Sequence, residues 1–113
     1  MDILPEVKDR SGYVIGVAFT NELNQPVTPI AATWSLTDGN GAIINEQQDN
    51  LIIPAESVYI TTQGDDNAYT DGGSRLDNTR VLVVKTEYLS ALTGQPTPKN
   101  GGVRYAISDL PDV

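Results

Sequence analysis

The chain contains no cysteine and no histidine. The first absence removes any disulfide framework and any thiolate metal site. The fold therefore does not depend on an oxidising compartment, although it could survive in one. The second removes the commonest general base and the commonest imidazole ligand, and with them serine–histidine and cysteine–histidine catalysis. Basic residues are scarce, 7 Lys and Arg against 15 Asp and Glu, for a formal charge of -8. That balance argues against nucleic acid and anionic membrane as partners. No apolar run approaches the roughly 20 residues of a membrane span. Met1–Glu6 lacks the basic and apolar regions of a signal peptide. No ten-residue segment repeats its apolar residues at a helical period, and no internal repeat is evident.

What remains is strand alternation. The organising stretch is Ala31–Ile44. Ala32, Trp34 and Leu36 alternate with Ala31, Thr33, Ser35 and Thr37, which places the two sets on opposite faces. Asp38-Gly39-Asn40-Gly41 supplies residues that tolerate positive φ, and Ala42-Ile43-Ile44 resumes the chain, so the stretch reads as a β-hairpin. Trp34, the only tryptophan, has the area to anchor a core between two sheets. In that position Trp34→Ala costs ~3–5 kcal/mol.

The rest of the chain supplies further strands. Met1–Ser11 is a tail or a ragged first strand over Ile3–Val7, broken by Pro5. Tyr13–Thr20 puts Tyr13, Ile15, Val17 and Phe19 on one face. Asn21–Pro29 is a loop with a turn at Asn24-Gln25-Pro26. Leu51–Ile53, before Pro54, fits a short edge strand. Ser57–Thr62 turns Val58, Ile60 and Thr62 inward. Arg80–Leu89 is apolar on both faces in its first half, which suggests a central strand. Val103–Asp109 closes the domain with Val103, Tyr105 and Ile107 inward. Two long loops are expected, Gln63–Thr79 and Ser90–Gly102. Structureless loops beyond ~12–15 residues are often functional or mobile.

At 113 residues the chain reads as one domain, 1–113, with a core large enough to need no staples. The expected fold is all-β: an immunoglobulin-like β-sandwich of about seven antiparallel strands, with Trp34 in the strand that carries the core Trp of such domains. The antibody-type Cys pair and tyrosine corner are absent.

Alternating strands bring Asn21–Ile30 and Ser90–Gly102 to one end, with Pro26, Pro29, Pro96, Pro98 and Asn100-Gly101-Gly102. The other end is acidic, with Asp38, Asp65, Asp66, Asp71 and Asp77. Asp65-Asp66-Asn67 and Asp71-Gly72 offer oxygens suited to calcium, but at no defined calcium-loop spacing. Asp65 and Asp66, as neighbours on one loop, do not set the carboxylate separation of a glycosidase. A solvated polar loop is the plainer reading of residues 63–79. Tyr69, within that loop, either folds back over the core edge or stands out as an interface aromatic. No catalytic, cofactor-binding or metal-binding residue is assigned.

The runs Asn24-Gln25-Pro26-Val27-Thr28-Pro29 and Ala32-Thr33-Trp34-Ser35-Leu36-Thr37-Asp38, with Gly41 before Ile43-Ile44, resemble small immunoglobulin-like proteins encoded by bacteriophages and prophages. The strand Arg80–Tyr88 and the ending Val103–Leu110 fit the same pattern. The resemblance covers residues 12–110. It implies a non-enzymatic virion component of head, connector or tail, assembled in the bacterial host cytoplasm. Its expected partners are other virion proteins, with a homo-oligomer as one form of assembly, and no cofactor, nucleic acid or membrane. Bacterial adhesin repeats share the Pro-Val-Thr run and the Trp strand, so the alternative is a binding module for carbohydrate or a host surface.

Overall fold

A computed structural model describes residues 2–109. Met1, at the head of the expected tail, and Leu110, at the end of the run that carries the resemblance, lie outside the described residues, as do Pro111, Asp112 and Val113. The described chain is all-β apart from one short 3₁₀ turn, Gly64–Asn67. Its strands are β1 (Asp2–Ile3), β2 (Val7–Lys8), β3 (Tyr13–Ala18), β4 (Ala31–Asp38), β5 (Asn50–Leu51), β6 (Ser57–Thr62), β7 (Thr79–Leu89) and β8 (Pro96–Ser108).

They form two sheets. The larger has the order β1-β8-β7-β4-β5, with β2 also on β8; the smaller is the antiparallel pair β3-β6. The larger sheet is mixed, because β1 and β2 both run parallel to β8. This corrects the expectation of antiparallel strands throughout. The ragged first strand exists as two pieces separated by Pro5. Leu4 N donates to Arg104 O at 2.8 Å, and Tyr13 Oη donates to Pro5 O at 2.8 Å, so both sheets hold this segment.

The core lies between the sheets. Ile15 and Ile60 from the small sheet meet Leu36, Leu82, Val84, Tyr105 and Ile107 from the large one. β7 is central, paired with β4 on one side and β8 on the other. Registers Trp34↔Val84 and Leu36↔Leu82 carry the inward set across the sheet. Trp34 is half-buried at the margin of this core, whereas Leu36 is fully buried. The centre therefore belongs to Leu36, Leu82 and Tyr105, and Trp34 flanks it.

The Ala31–Ile44 hairpin forms, but its return arm is broken. Asp38 N donates to Ala42 O and Ile44 N to Leu36 O. Asn45, Glu46 and Asp49 then take positive φ, a single bond from Leu36 N to Gln47 O (2.8 Å) bridges the break, and the ladder resumes at β5, opposite Thr33 and Trp34. In the turn, Gly41 supplies positive φ (90°), whereas Gly39 is required by close approach. A Cβ there would lie 3.0 Å from Leu76 Cα and O.

The second expected loop is overturned. Pro96–Gly102 belongs to β8, which pairs with β7 along its whole length, Leu89↔Pro96 through Thr79↔Ala106. Only residues 90–95 connect the two strands. The prolines misled because proline cannot donate within a ladder. Here the bond from Leu4 N to Arg104 O shows that even-numbered β8 residues turn their main chain away from β7. Pro96 and Pro98 share that parity, so neither removes a β7–β8 bond. The resulting long hairpin helps stretch the molecule to 55 × 24 × 21 Å.

Candidate functional site

The two ends of the fold assemble as the strand order requires. At the hairpin end, Glu22 accepts from Ser90 Oγ (2.8 Å) and Leu92 N (2.9 Å), and Lys99 Nζ donates to Thr20 O (3.2 Å). Partial desolvation opposes the Glu22 charge. Hydrogen bonds from the backbone, Ser90, Tyr88 and Leu92 outweigh it and bring the carboxyl down to about 2. At the acidic end, Gly39 N donates to Leu76 O (2.9 Å) and Asn40 Nδ2 to Asp77 Oδ1 (3.1 Å).

The acidic end is built on a residue that the sequence did not single out. Arg80 is 4 % exposed. Its Nε donates to Asp66 O (2.7 Å), Nη1 to Asp77 O (2.9 Å) and Thr79 O (3.1 Å), and Nη2 to Ala68 O (3.2 Å). The planar fork of donors thus gathers main-chain carbonyls from the two ends of the 63–79 segment. Burial lowers the Arg80 pKa from its ordinary value, while Tyr105, Asp38 and Asp66 favour the charge.

Beside it lies a buried polar cluster. Tyr105 Oη donates to Asn67 Oδ1 (2.7 Å) and lies 3.0 Å from Thr62 Oγ1, and Asn67 Nδ2 donates to Ser11 O (2.8 Å). Burial pushes the Tyr105 phenol up to about 12. The Tyr13 ring meets it at 4.7 Å. Asn78 closes the segment, accepting from Thr70 N (2.7 Å) and donating to Thr70 O (3.1 Å). Among the described residues every buried side-chain nitrogen and oxygen has a partner.

The predicted acidic residues are spent separately within this frame. Asp38 Oδ1 accepts from Asn40 N and Ala42 N. Asp65 pairs with Arg10 at 3.3 Å on the surface. Asp66 is buried and accepts from Asn45, Gln47 and Gln63 N. Asp77 accepts from Asn40 and Ser74 N. Asp71 lies exposed on the loop. The described residues bring together no group of three or more potential metal ligands. Tyr69 is partly buried against the core, with its N–H on Asp9 Oδ1 (2.8 Å), so it folds back over the core edge.

Of the predicted loop prolines, Pro26 and Pro29 follow the turn at Asn24, whose φ is 60°, while Pro96, Pro98 and Asn100 lie in β8. Between β3 and the β7–β8 hairpin, two shallow apolar hollows of about 120 and 220 Å³ share Val17, Ala18, Val84 and Gly101. What stands exposed instead is strand-edge and apolar surface. Leu51, Ile53 and Tyr59 are 87 %, 85 % and 81 % exposed, and all three fall within nine residues spanning β5, its connection and β6. Tyr59 lies over Gly16 on the neighbouring strand, with its ring 3.5 Å from where a Gly16 Cβ would sit. No helix among the described residues is long and apolar enough to cross a membrane. No protein-family model, no curated protein and no solved structure matches the chain.

Proposed function

We propose that this chain is a non-enzymatic structural and interaction protein, a component of a bacteriophage or prophage virion in the head, connector or tail. It is assembled in the host cytoplasm and works through contacts with other virion proteins. The observation that carries the reading is the division of polar and apolar groups. Buried polar side chains are consumed in holding the fold, while the three most exposed large apolar side chains, Leu51, Ile53 and Tyr59, fall within one nine-residue segment. Surface of that kind suits protein contacts.

An immunoglobulin-like sandwich is the fold we assign to it. The β3–β6 pair takes the place of the B and E strands, and the neighbours β4, β7 and β8 that of the C, F and G strands. No described strand occupies the D position beside β6. The phage resemblance of residues 12–110 supplies the virion context.

The test is fractionation of particles from a host strain expressing the chain from its native locus. Co-sedimentation with intact particles at a fixed copy number is expected. Recovery only from the particle-free fraction contradicts the reading.

A second reading, an adhesin-type module, draws on Tyr59, whose exposed ring over Gly16 offers a stacking surface for a sugar. A glycan array probed with wild type and Tyr59→Ala tests it, with Tyr59-dependent binding as the expected outcome.

A further inference from the structure

Among the described strands β3 and β6 each have a single neighbour and an unprotected edge, and β6 is the better strand former of the two, because Gly16 interrupts β3. The free stretch of β8 carries Pro96 and Pro98, and β5 is two residues long with Pro54 just beyond it. Short edges and prolines are the usual defences against edge-to-edge pairing. β6 has none of them. Ser57-Val58-Tyr59-Ile60-Thr61-Thr62 is six residues long, uncharged, free of proline and rich in strand formers. Among the described strands it pairs only with β3.

The parity of that pairing decides what the free edge offers. Phe19 N donates to Glu56 O at 2.9 Å, in the same register as the β3–β6 ladder. Even-numbered β6 residues therefore bond β3. Ser57, Tyr59 and Thr61 turn their N–H and C=O groups to the open side.

We infer that β6 is a self-association edge, at which a second copy of this chain pairs antiparallel through its own β6. The strands β3-β6 and their mates then form one continuous four-stranded sheet about a two-fold axis. The register is centred on Tyr59 opposite Tyr59 of the second copy. That register alone sets all three outward-facing residues of each copy against those of the other, Ser57 against Thr61 and Tyr59 against Tyr59, with two bonds per pair. Val58 then opposes Ile60, and Glu56 opposes Thr62, so no like charges meet.

Charge does not stand against a second copy at this edge. Two chains of net charge -8 repel one another, but this strand carries none of that charge. A six-residue strand is roughly 20 Å long. It buries less than the roughly 800 Å² per partner of a standard interface, so the pairing is reversible in dilute solution. This inference rests on the interaction-protein reading and names one of its surfaces.

Sedimentation equilibrium over a wide concentration range tests it, with wild type, Thr61→Pro and Tyr59→Lys. Proline at position 61 removes an outward N–H and leaves the β3–β6 ladder bonds in place. Tyr59→Lys places like charges at the two-fold axis and covers the case in which the proline variant does not fold. Wild type is expected to move from the monomer mass of 12.1 kDa toward twice that value. At least a tenfold loss of association is expected in each folded variant. A wild type that stays monomeric at every concentration overturns the inference, as does a folded Tyr59→Lys variant that dimerises as well as wild type. Neither result touches the virion reading, which particle fractionation decides separately.

Discussion

Arg80 and Asp66 are both buried, yet Arg80 Nε donates to the main-chain carbonyl of Asp66 at 2.7 Å and not to its carboxylate. The carboxylate is occupied by Asn45, Gln47 and the amide of Gln63. Each ion is solvated by neutral hydrogen-bonding groups while remaining close enough for Asp66 to favour the Arg80 charge. The guanidinium therefore replaces water for a run of backbone that would otherwise be buried without partners.

Removing that fork leaves carbonyls unsatisfied. Arg80→Leu is expected to destabilise the fold by roughly 1–3 kcal/mol for each buried carbonyl left without a donor. Arg80→Lys should recover only part of the loss, because an ammonium cannot reproduce the planar spread of donors. Urea unfolding of the three proteins measures this. A Lys variant as stable as wild type would show that charge alone suffices.

Glu22 gives the hairpin end a pH dependence. Its carboxyl is held at about 2 in the folded chain, against an ordinary value of 4.5. A lowered folded pKa contributes stability above the ordinary value and loses it as pH falls through the folded one. The contact with Ser90 and Leu92 should therefore persist at pH 4 and disappear toward pH 2. The chemical shift of the Leu92 amide, followed by NMR, reports it. A midpoint near the ordinary carboxyl value contradicts the assignment.

Core weights should follow burial and not side-chain size. Leu36→Ala is expected to cost roughly 2–5 kcal/mol, because Leu36 is fully enclosed. Half-buried Trp34 should cost less on substitution by Ala than the roughly 3–5 kcal/mol of an enclosed tryptophan. Thermal or urea denaturation of both variants ranks them, and the reverse order would return Trp34 to the centre of the core.

Alternation was enough to read the strands that touch the core. Ile15, Leu36, Ile60, Leu82, Tyr105 and Ile107 all lie inside, as their parity requires. Alternation does not reveal which edge a residue's main chain faces. That is why Pro96 and Pro98 read as loop although their parity makes them harmless in β8. Nor does composition reveal satisfaction. The 63–79 segment looks like a solvated loop, but Asp66, Asn67 and Asn78 are buried within it. One signal was available: Arg80 shares the inward parity of Leu82 and Val84 on a central strand, a place where a charge must be met by buried acceptors. The β6 edge was legible as sequence but not as an edge, since only the topology leaves it without a second neighbour.

The account holds that this molecule is a rigid frame with an open strand edge, and amide hydrogen exchange on the dilute protein tests both halves at once. Ala68, Thr70 and Asn78, whose N–H groups are bonded within the pinned segment, and Tyr69, whose N–H is bonded to Asp9 Oδ1, are expected to exchange as slowly as core strand amides. Ser57, Tyr59 and Thr61 are expected to exchange fast although they lie in a strand. A fast-exchanging 63–79 segment, or slow exchange at those three β6 amides in the monomer, would contradict it.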